Sequence, residues 1–427
     1  MSFVVTRSSS PVLVVPLKPT PARNLPLTST DKSRLFFSFT SFHVFERHIH
    51  DPAETIRRAL SEALVHYYPI AGRVAAGANG GDQDVLIACT GEGIAFVSAT
   101  ASCTLQEIRF LHTPLAIPLG DLAVRYGGRC GLSDPLVMMQ VTEFTCGGYV
   151  VAATWNHGIA DAFGLSQFLQ ATGEIARGFS SPSVVPVRYD DSLPDIPQLI
   201  PAIVKRSPVG SKAFNLTHMN FIYCDVTIPW SFINRFKEEF RSRSNGREAC
   251  TSFEVVTAAV WQCRTRAINL DPNVRTPIMF TANVRKFIGA KDGYYGNCVF
   301  SQLVEATSGA VASGAVVDVV SLIKDAKGRI PGTLADQSRE LEVDDDELVS
   351  ALCGYNTLFV TTWGGIGLDK VDFGGGTPKR VVPNLESPFV PVCFPGAPCS
   401  SSDANVVAFC VTEEHVQDFH AQLARLR

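Results

Sequence analysis

The sequence has little of what marks a membrane or nucleic-acid protein. Its longest apolar runs, such as Val12 to Val15 and Tyr149 to Ala153, fall far below the ~20 residues of a membrane span. Its 37 Lys and Arg are outnumbered by 41 Asp and Glu, for a net charge of −4, so there is no basic field for nucleic acid. Met1 to Pro11 carries one Arg and several Ser but no apolar segment ahead of a small-residue cleavage site, so no secretory leader is expected. No two of the 12 cysteines form a Cys-x-x-Cys pair, and the nearest two are Cys393 and Cys399. That scatter reads as reduced thiols in a cytoplasmic protein rather than a disulfide framework. There is no P-loop, no Gly-x-Ser-x-Gly elbow and no Gly-x-Gly-x-x-Gly after a strand, which removes the usual nucleotide and serine-hydrolase signatures. His48 and His50 stand near Glu54, but a solvated helix start accounts for them, so no metal is expected.

Core is plentiful. Hydrophobic residues fill 46% of 427 positions, a length at which single cores stop growing, so two domains are expected. They fall at residues 1–178 and 216–427, joined by a crossover at 179–215 that holds Pro182, Pro186, Pro194, Pro197, Pro201 and Pro208. Both halves mix strands and helices, an α/β pattern. In the first half, Val12 to Val15 and Leu35 to Phe45 read as strands. Asp51-Pro52-Ala53-Glu54 opens a helix with Ile56, Leu60, Ala63 and Leu64 on its apolar face, which must stop before Pro69. Hairpins are expected around Thr90-Gly91-Glu92-Gly93, joining Val85 to Cys89 with Ile94 to Val97, and around Cys146-Gly147-Gly148, joining Val137 to Phe144 with Tyr149 to Trp155. Leu165, Phe168, Leu169, Thr172 and Ala176 form a helix face that ends at Gly178. In the second half, strands are expected at Phe221 to Ile228, Ile278 to Asn283, Leu358 to Thr362 and Asn405 to Val411. Helices are expected after a Ser231 cap, after Thr251 or Ser252, over Ala312 to Lys327 and from Thr412 onward.

One stretch carries chemistry. Trp155-Asn156-His157-Gly158-Ile159-Ala160-Asp161-Ala162 lies where an apolar strand hands over to the helix pattern of Ala162 to Ala176. A histidine at such a junction is held rigidly yet can face a cleft, and Gly158 and Ala160 keep the turn small. Of the nine histidines, only His157 has an Asp four residues on. The arrangement suits a general base; the alternative is a core histidine satisfied by a backbone carbonyl. Further on, Asn283-Val284-Arg285 ends a strand shortly before Tyr294-Tyr295-Gly296-Asn297. Thr361-Thr362-Trp363 ends another, and Asp372-Phe373-Gly374-Gly375-Gly376 makes a glycine-rich loop.

Taken in order, these segments resemble the motifs of the plant BAHD acyl-CoA-dependent acyltransferases. His157 to Asp161 is similar to the family's His-x-x-x-Asp motif. Asp372 to Gly376 is similar to its Asp-Phe-Gly-Trp-Gly motif, with Gly375 in place of the Trp. Tyr295-Gly296-Asn297, Thr361-Thr362-Trp363 and Tyr68-Pro69-Ile70-Ala71-Gly72-Arg73 resemble further family segments, so the likeness covers nearly the whole chain. It implies two chloramphenicol-acetyltransferase-like α/β domains with mixed sheets and a channel between them. Acyl-CoA is the implied co-substrate and a small molecule the acceptor, with no metal, no permanently bound cofactor and a monomeric state. His157 is implied as the base and Trp363 as the oxyanion partner, the alternative for Trp363 being ordinary core. Asp161 is implied to turn away from the imidazole and pair with Arg285, whose competing role is a CoA phosphate contact. Asp372, Gly374 and Gly376 belong to a structural loop. Ser252, Asn283 and Tyr295 match the pantetheine side. Thr40, Phe42 and Val44, alternating along one strand face, match the acceptor side together with Thr361; their alternative is core filling.

The chemistry this implies is spare. A thioester is already activated, so a base that removes the acceptor's proton, two substrates held together and an oxyanion donor suffice. The stretch Val349 to Trp363 has no Lys or Arg, where relatives that accept shikimate or quinate carry an Arg, so a carboxylate acceptor would lack a counter-charge. The expected reaction is transfer of an aromatic acyl group, benzoyl or hydroxycinnamoyl, to a hydrophobic alcohol or arylalkylamine. Acetyl transfer is the second choice, and a catalytically inactive binding protein the third. A hydrolase would need a nucleophile or metal that the sequence does not supply.

Overall fold

Two mixed sheets carry the chain, and the second half lends a strand to the first. The computed structural model describes residues 3–35, 37–77, 85–128, 130–196, 219–336, 352, 354–385, 390–397, 399 and 403–426. In chain order the elements are β1 (Val5–Arg7), β2 (Val12–Val14), β3 (Asn24–Pro26), α1 (Ser29–Lys32), β4 (Ser38–Phe45), α2 (Pro52–His66), β5 (Arg73–Ala76), β6 (Val85–Ala88), β7 (Ile94–Ala101), β8 (Val137–Glu143), β9 (Tyr149–Asn156) and α3 (Ala162–Ala176). The second half adds β10 (Cys224–Ile228), α4 (Trp230–Arg243), α5 (Ser252–Ile268), β11 (Ile278–Asn283), β12 (Val299–Val304), α6 (Ser308–Ser313), α7 (Val316–Ala335), β13 (Leu358–Val360), β14 (Arg380–Asn384), β15 (Val392–Pro395), β16 (Ala404–Phe409) and α8 (Glu413–Ala424).

The first sheet runs β1-β7-β8-β9-β4-β14, with β2 also on β7; the second runs β10-β16-β15-β13-β11-β12, and β3-β6-β5 form a small third sheet. Helices α2 and α3 pack on one face of the first sheet, and residues from the far end of the chain, among them Trp363, Phe373, Phe394 and Phe409, join the same core. The second sheet buries its other face against α5 and its neighbours. A separate apolar cluster lies on the opposite face of the first sheet, built on Phe42, Val44, Val150 and Ala152.

Local chemistry explains most boundaries. Asp51 caps α2 by accepting from Glu54 N, Pro52 takes the first position, and the helix stops before Pro69, with Ile56, Leu60, Ala63 and Leu64 buried. The β8–β9 hairpin forms as expected, with Glu143 opposite Tyr149. Thr251, not Ser252, caps α5, in a reciprocal pair with Glu254.

Other expectations fail for physical reasons. β6 and β7 are consecutive but do not pair: β2 occupies the edge beside Ile94, and a Cβ at Gly93 would lie 2.3 Å from Val14 O. Ser231 does not cap α4, which starts from Pro229 without a side-chain cap. The helix expected over Ala312 to Lys327 is two helices broken at Gly314, which has extended backbone and ends α6. The described part of the crossover is tied down: Ser183 bonds Glu174, Val187 bridges Tyr294, and Asp190 pairs with Lys291 at 2.9 Å. Residues 197–215 of that crossover, and residues 349–351 of the stretch without Lys or Arg, lie outside the described residues.

Candidate active site

Strand β9 is buried along its whole length, and hydrogen bonds close the turn that follows it. Asn156 accepts from Gly158 N (2.9 Å) and Ile159 N (3.0 Å), and His157 N donates to Phe37 O (2.8 Å), tying the turn to the entry of β4. A Cβ at Gly158 would stand 2.8 Å from Leu35 Cα, so the turn requires glycine. Trp155 Nε1 spans the turn to Ala160 O at 3.0 Å. Asp161 ends it as the N-cap of α3.

His157 is half-buried among aromatic rings. Phe39 meets it edge-on, with centroids 4.9 Å apart, and Trp155 lies at 6.4 Å. Trp155 neighbours Trp363 at 6.4 Å, and Trp363 meets Phe394 edge-on at 5.7 Å. Burial first, and the nearby Arg34 guanidinium second, push the imidazole pKa down to about 4. The ring is therefore neutral at physiological pH and able to take up a proton.

Asn297 bears on which nitrogen does so. Its Nδ2 donates to Asp31 Oδ1 (2.8 Å) and to His157 O (2.7 Å). Both partners only accept, so the amide cannot be turned round, and its Oδ1 is left buried without a closed bond. His157 Nδ1 is likewise buried without a closed bond. The Asn297 side chain and the residue's own carbonyl both favour the protonated imidazole. An acceptor beside the buried Nδ1 favours a proton there and leaves the Nε2 lone pair free. Asp31 also pairs with Arg188 (3.0 Å), and Arg188 Nη2 donates to Gly158 O (3.0 Å).

Asp161 turns away from the imidazole. Its two oxygens meet Arg285 Nη1 and Nη2 at 2.8 and 2.9 Å, and Oδ2 accepts from Cys298 N at 3.0 Å. Burial alone would raise this carboxyl's pKa; the Arg285 charge outweighs it and holds the group below its ordinary value. Arg285 also donates to Tyr294 O, Gly296 O and Asn283 Oδ1. Its five N–H groups are all engaged, which leaves none for a phosphate.

The strand face expected at the acceptor side, Thr40, Phe42 and Val44, is buried. Thr40 bonds Thr154 at 2.9 Å, and Phe42 and Val44 are fully buried in the cluster on the far face of the sheet. Phe39 packs edge-on against His157, and alternation puts Ser41 and His43, both buried, on the Phe39 face. Tyr295, expected on the pantetheine side, is 1% exposed and packed on Tyr67. Ser252 is half-buried at the first turn of α5, Asn283 is exposed at the end of β11, and Thr361 Oγ1 bonds Thr281 at 2.9 Å beside Trp363. Asp372 closes its loop by accepting from Gly374 N and Gly376 N at 2.8 Å each, and lies against Arg177 of α3's end. Among the described residues, no His, Cys, Asp and Glu group could hold a metal ion. No described helix is long and apolar enough to cross a membrane.

The chain is similar to known proteins along nearly its whole length. The model of the Transferase family matches residues 3–425. The chain belongs to the BAHD acyltransferase family. It is 38% identical to acyl transferase 15 of Oryza sativa subsp. japonica, over 100% of this chain and 99% of that one. It is 34% identical to a myricetin 3-O-glucosyl 1,2-rhamnoside 6'-O-caffeoyltransferase of Crocosmia x crocosmiiflora, over 99% of each. Two solved structures share the fold: vinorine synthase (TM-score 0.66, 17% identity, 99% of this chain and 98% of that one) and F. graminearum TRI101 complexed with coenzyme A and T-2 mycotoxin (TM-score 0.69, 14% identity, 94% and 97%).

As a BAHD acyltransferase the chain is an acyl-CoA-dependent enzyme of plant type, and its fold is the one its motifs implied. Reading the motifs missed Asp31, Arg34 and Arg188, and gave Asn297 no task. Thr28 to Asp31 does carry a capping signal, but nothing in it points 126 residues on, to His157. Where this BAHD acyltransferase departs from the family, at Gly375, an added Cβ would stand 2.9 Å from Ile49 Cγ2 and 3.1 Å from Arg47 O. The loop rests directly on that segment.

Proposed function

We propose that this BAHD acyltransferase moves an aromatic acyl group, benzoyl or hydroxycinnamoyl, from its CoA thioester to a neutral, hydrophobic alcohol or arylalkylamine. The observation that carries the reading is the neutral His157 imidazole, ringed by aromatic side chains. In the proposed reaction Nε2 takes the acceptor's proton as its oxygen or nitrogen attacks the thioester carbonyl. The tetrahedral oxyanion is met by Trp363, and collapse expels the CoA thiolate, which takes the proton back from the imidazolium. The halves 1–178 and 216–427 are the proposed channel walls, with Ser252 and Asn283 toward coenzyme A and Thr361 toward the acceptor. We place the protein in the cytoplasm as a monomer.

The preference for a neutral acceptor rests on charge. Arg188 and Arg285 are held by Asp31 and Asp161, and Arg34 lies within the field of both carboxylates. A carboxylate acceptor would be desolvated beside guanidinium groups already engaged, at a cost of several kcal/mol. A hydroxycinnamoyl donor agrees with the caffeoyl group in the name of the Crocosmia relative. The test pairs an arylalkylamine with its parent amino acid, using one aromatic acyl-CoA. The uncharged partner should win in kcat/KM by at least about a hundredfold, the factor given by ~3 kcal/mol. Equal efficiencies, or a preference for quinate, would overturn the acceptor assignment.

A further inference from the structure

Two consecutive carbonyls of the His157 turn are held from outside the turn, and both holds converge on one carboxylate. Asn297, in the second half of the chain, holds His157 O; Arg188, in the crossover, holds Gly158 O. Asp31, at the N-terminal end, accepts from Asn297 N (3.1 Å) and Nδ2 (2.8 Å) and pairs with Arg188 (3.0 Å). Its carboxylate is fully buried, and its Oδ2 also accepts from Thr28 N (3.1 Å). Nothing in the proposed chemistry uses this carboxylate, and its buried charge is matched to one purpose: orienting donors.

We propose that Asp31 and Arg188 are positioning residues for His157, fixing the turn through its two carbonyls and, through Asn297, the imidazole tautomer. The proposal rests on His157 being the base. Asp31 accepts from Asn297 Nδ2, which leaves the buried amide oxygen as the group available to the buried imidazole nitrogen, and an oxygen there selects Nδ1–H. Arg188 keeps Gly158 O, on the peptide that follows the histidine's own, from rotating. The turn is thereby set by residues from three distant parts of the chain, and the crossover is part of the active-site scaffold as well as a connection.

The experiment uses the full chain, as wild type and as Asp31→Asn, Arg188→Met and the double variant. Two readouts are taken well below melting: kcat with KM for both substrates, and the imidazole ¹⁵N shifts of histidine-labelled protein. A displaced base costs on the order of 10- to 100-fold. Each single variant should lose that much kcat while both KM values stay within about threefold, as expected when only the transition state suffers. The double variant should be no worse than the poorer single, because both act through one turn. The wild-type His157 signal should be that of the Nδ1–H tautomer at neutral pH and should become mixed in Asp31→Asn. A folded Arg188→Met with kcat within threefold of wild type overturns the positioning role. So does a wild-type Nε2–H tautomer, a result that requires no variant to fold. If His157→Ala keeps its activity the base assignment falls instead, and the tautomer measurement still reports whether Asp31 governs the ring.

Discussion

Asp161 and Arg285 meet through two parallel hydrogen bonds, 2.8 and 2.9 Å long, across 124 residues of sequence. The same carboxylate caps α3 and accepts from Cys298 N, so one side chain joins the His157 turn, a helix start and the second sheet. Removing one member of a buried pair costs about 3–5 kcal/mol. Asp161→Asn should therefore lower the melting temperature strongly, with activity surviving at temperatures well below it. A protein of unchanged stability whose rate alone collapses would make Asp161 catalytic. The depressed carboxyl pKa adds a pH signature. Its stabilisation is present above the ordinary pKa of about 3.9 and is lost as pH falls through the lower folded value, so acid unfolding should begin at higher pH in the variant.

His157 has its pKa pushed down to about 4, by burial and then by Arg34. With an alcohol acceptor that does not titrate, kcat/KM should hold level from neutral pH down to about 5 and fall below about 4. An acid limb between 6 and 7 would contradict a buried neutral imidazole. Arg34→Met, which removes the neighbouring cation, should move the limb upward.

His112 holds Asp225 at 2.8 Å, and Asp225 also pairs with Arg380 at 2.7 Å. The hydrogen bond to Asp225, with help from Cys399, raises the His112 pKa to about 9. A raised histidine stabilises fully below its unfolded pKa of about 6.5 and loses that contribution as pH rises through the folded value. Melting temperature should accordingly decline between about pH 6.5 and 9.5, and His112→Gln should flatten this part of the curve.

Gly375→Trp restores the residue the family motif usually has. Here its Cβ would press on Ile49 Cγ2 and Arg47 O. Overpacking of this kind costs typically about 1–3 kcal/mol. Thermal melting should show the loss, and Ile49→Ala in the same chain should return part of it. A stabilised Gly375→Trp would mean the segment at 47–49 yields freely.

Elements set by nearby residues were legible in the sequence. The Asp51–Glu54 cap, the β8–β9 hairpin and the β9–His157–α3 junction each follow from signals within a few positions. Where a distant strand competes, local signals mislead: β2 takes the place that the turn at Gly91 and Gly93 reserved for β6. Which face of β4 meets His157 was not legible, because period two has no origin of its own, and only the contact of Phe39 with His157 fixes which residues are odd and which even. Tyr295 sits in a motif yet serves packing, and the Asp31, Arg188 and Asn297 cluster joins residues that no local pattern connects.

The strand β14 has a consequence for how the protein is made. It closes the first sheet by pairing Arg380 with Val44 and Asn384 with Thr40, contacts that span roughly 340 residues, among the slowest kind to form. While a ribosome is still synthesising the second half, β4 has one edge unpaired and the apolar surface that Phe373, Phe394 and Phe409 will cover lies open. The first half alone is thus an unfinished sheet that invites aggregation. Chaperone retention until the last fifth of the chain emerges, and recovery of soluble protein when the two halves are co-expressed but not when the first is made alone, are the outcomes this strand dictates.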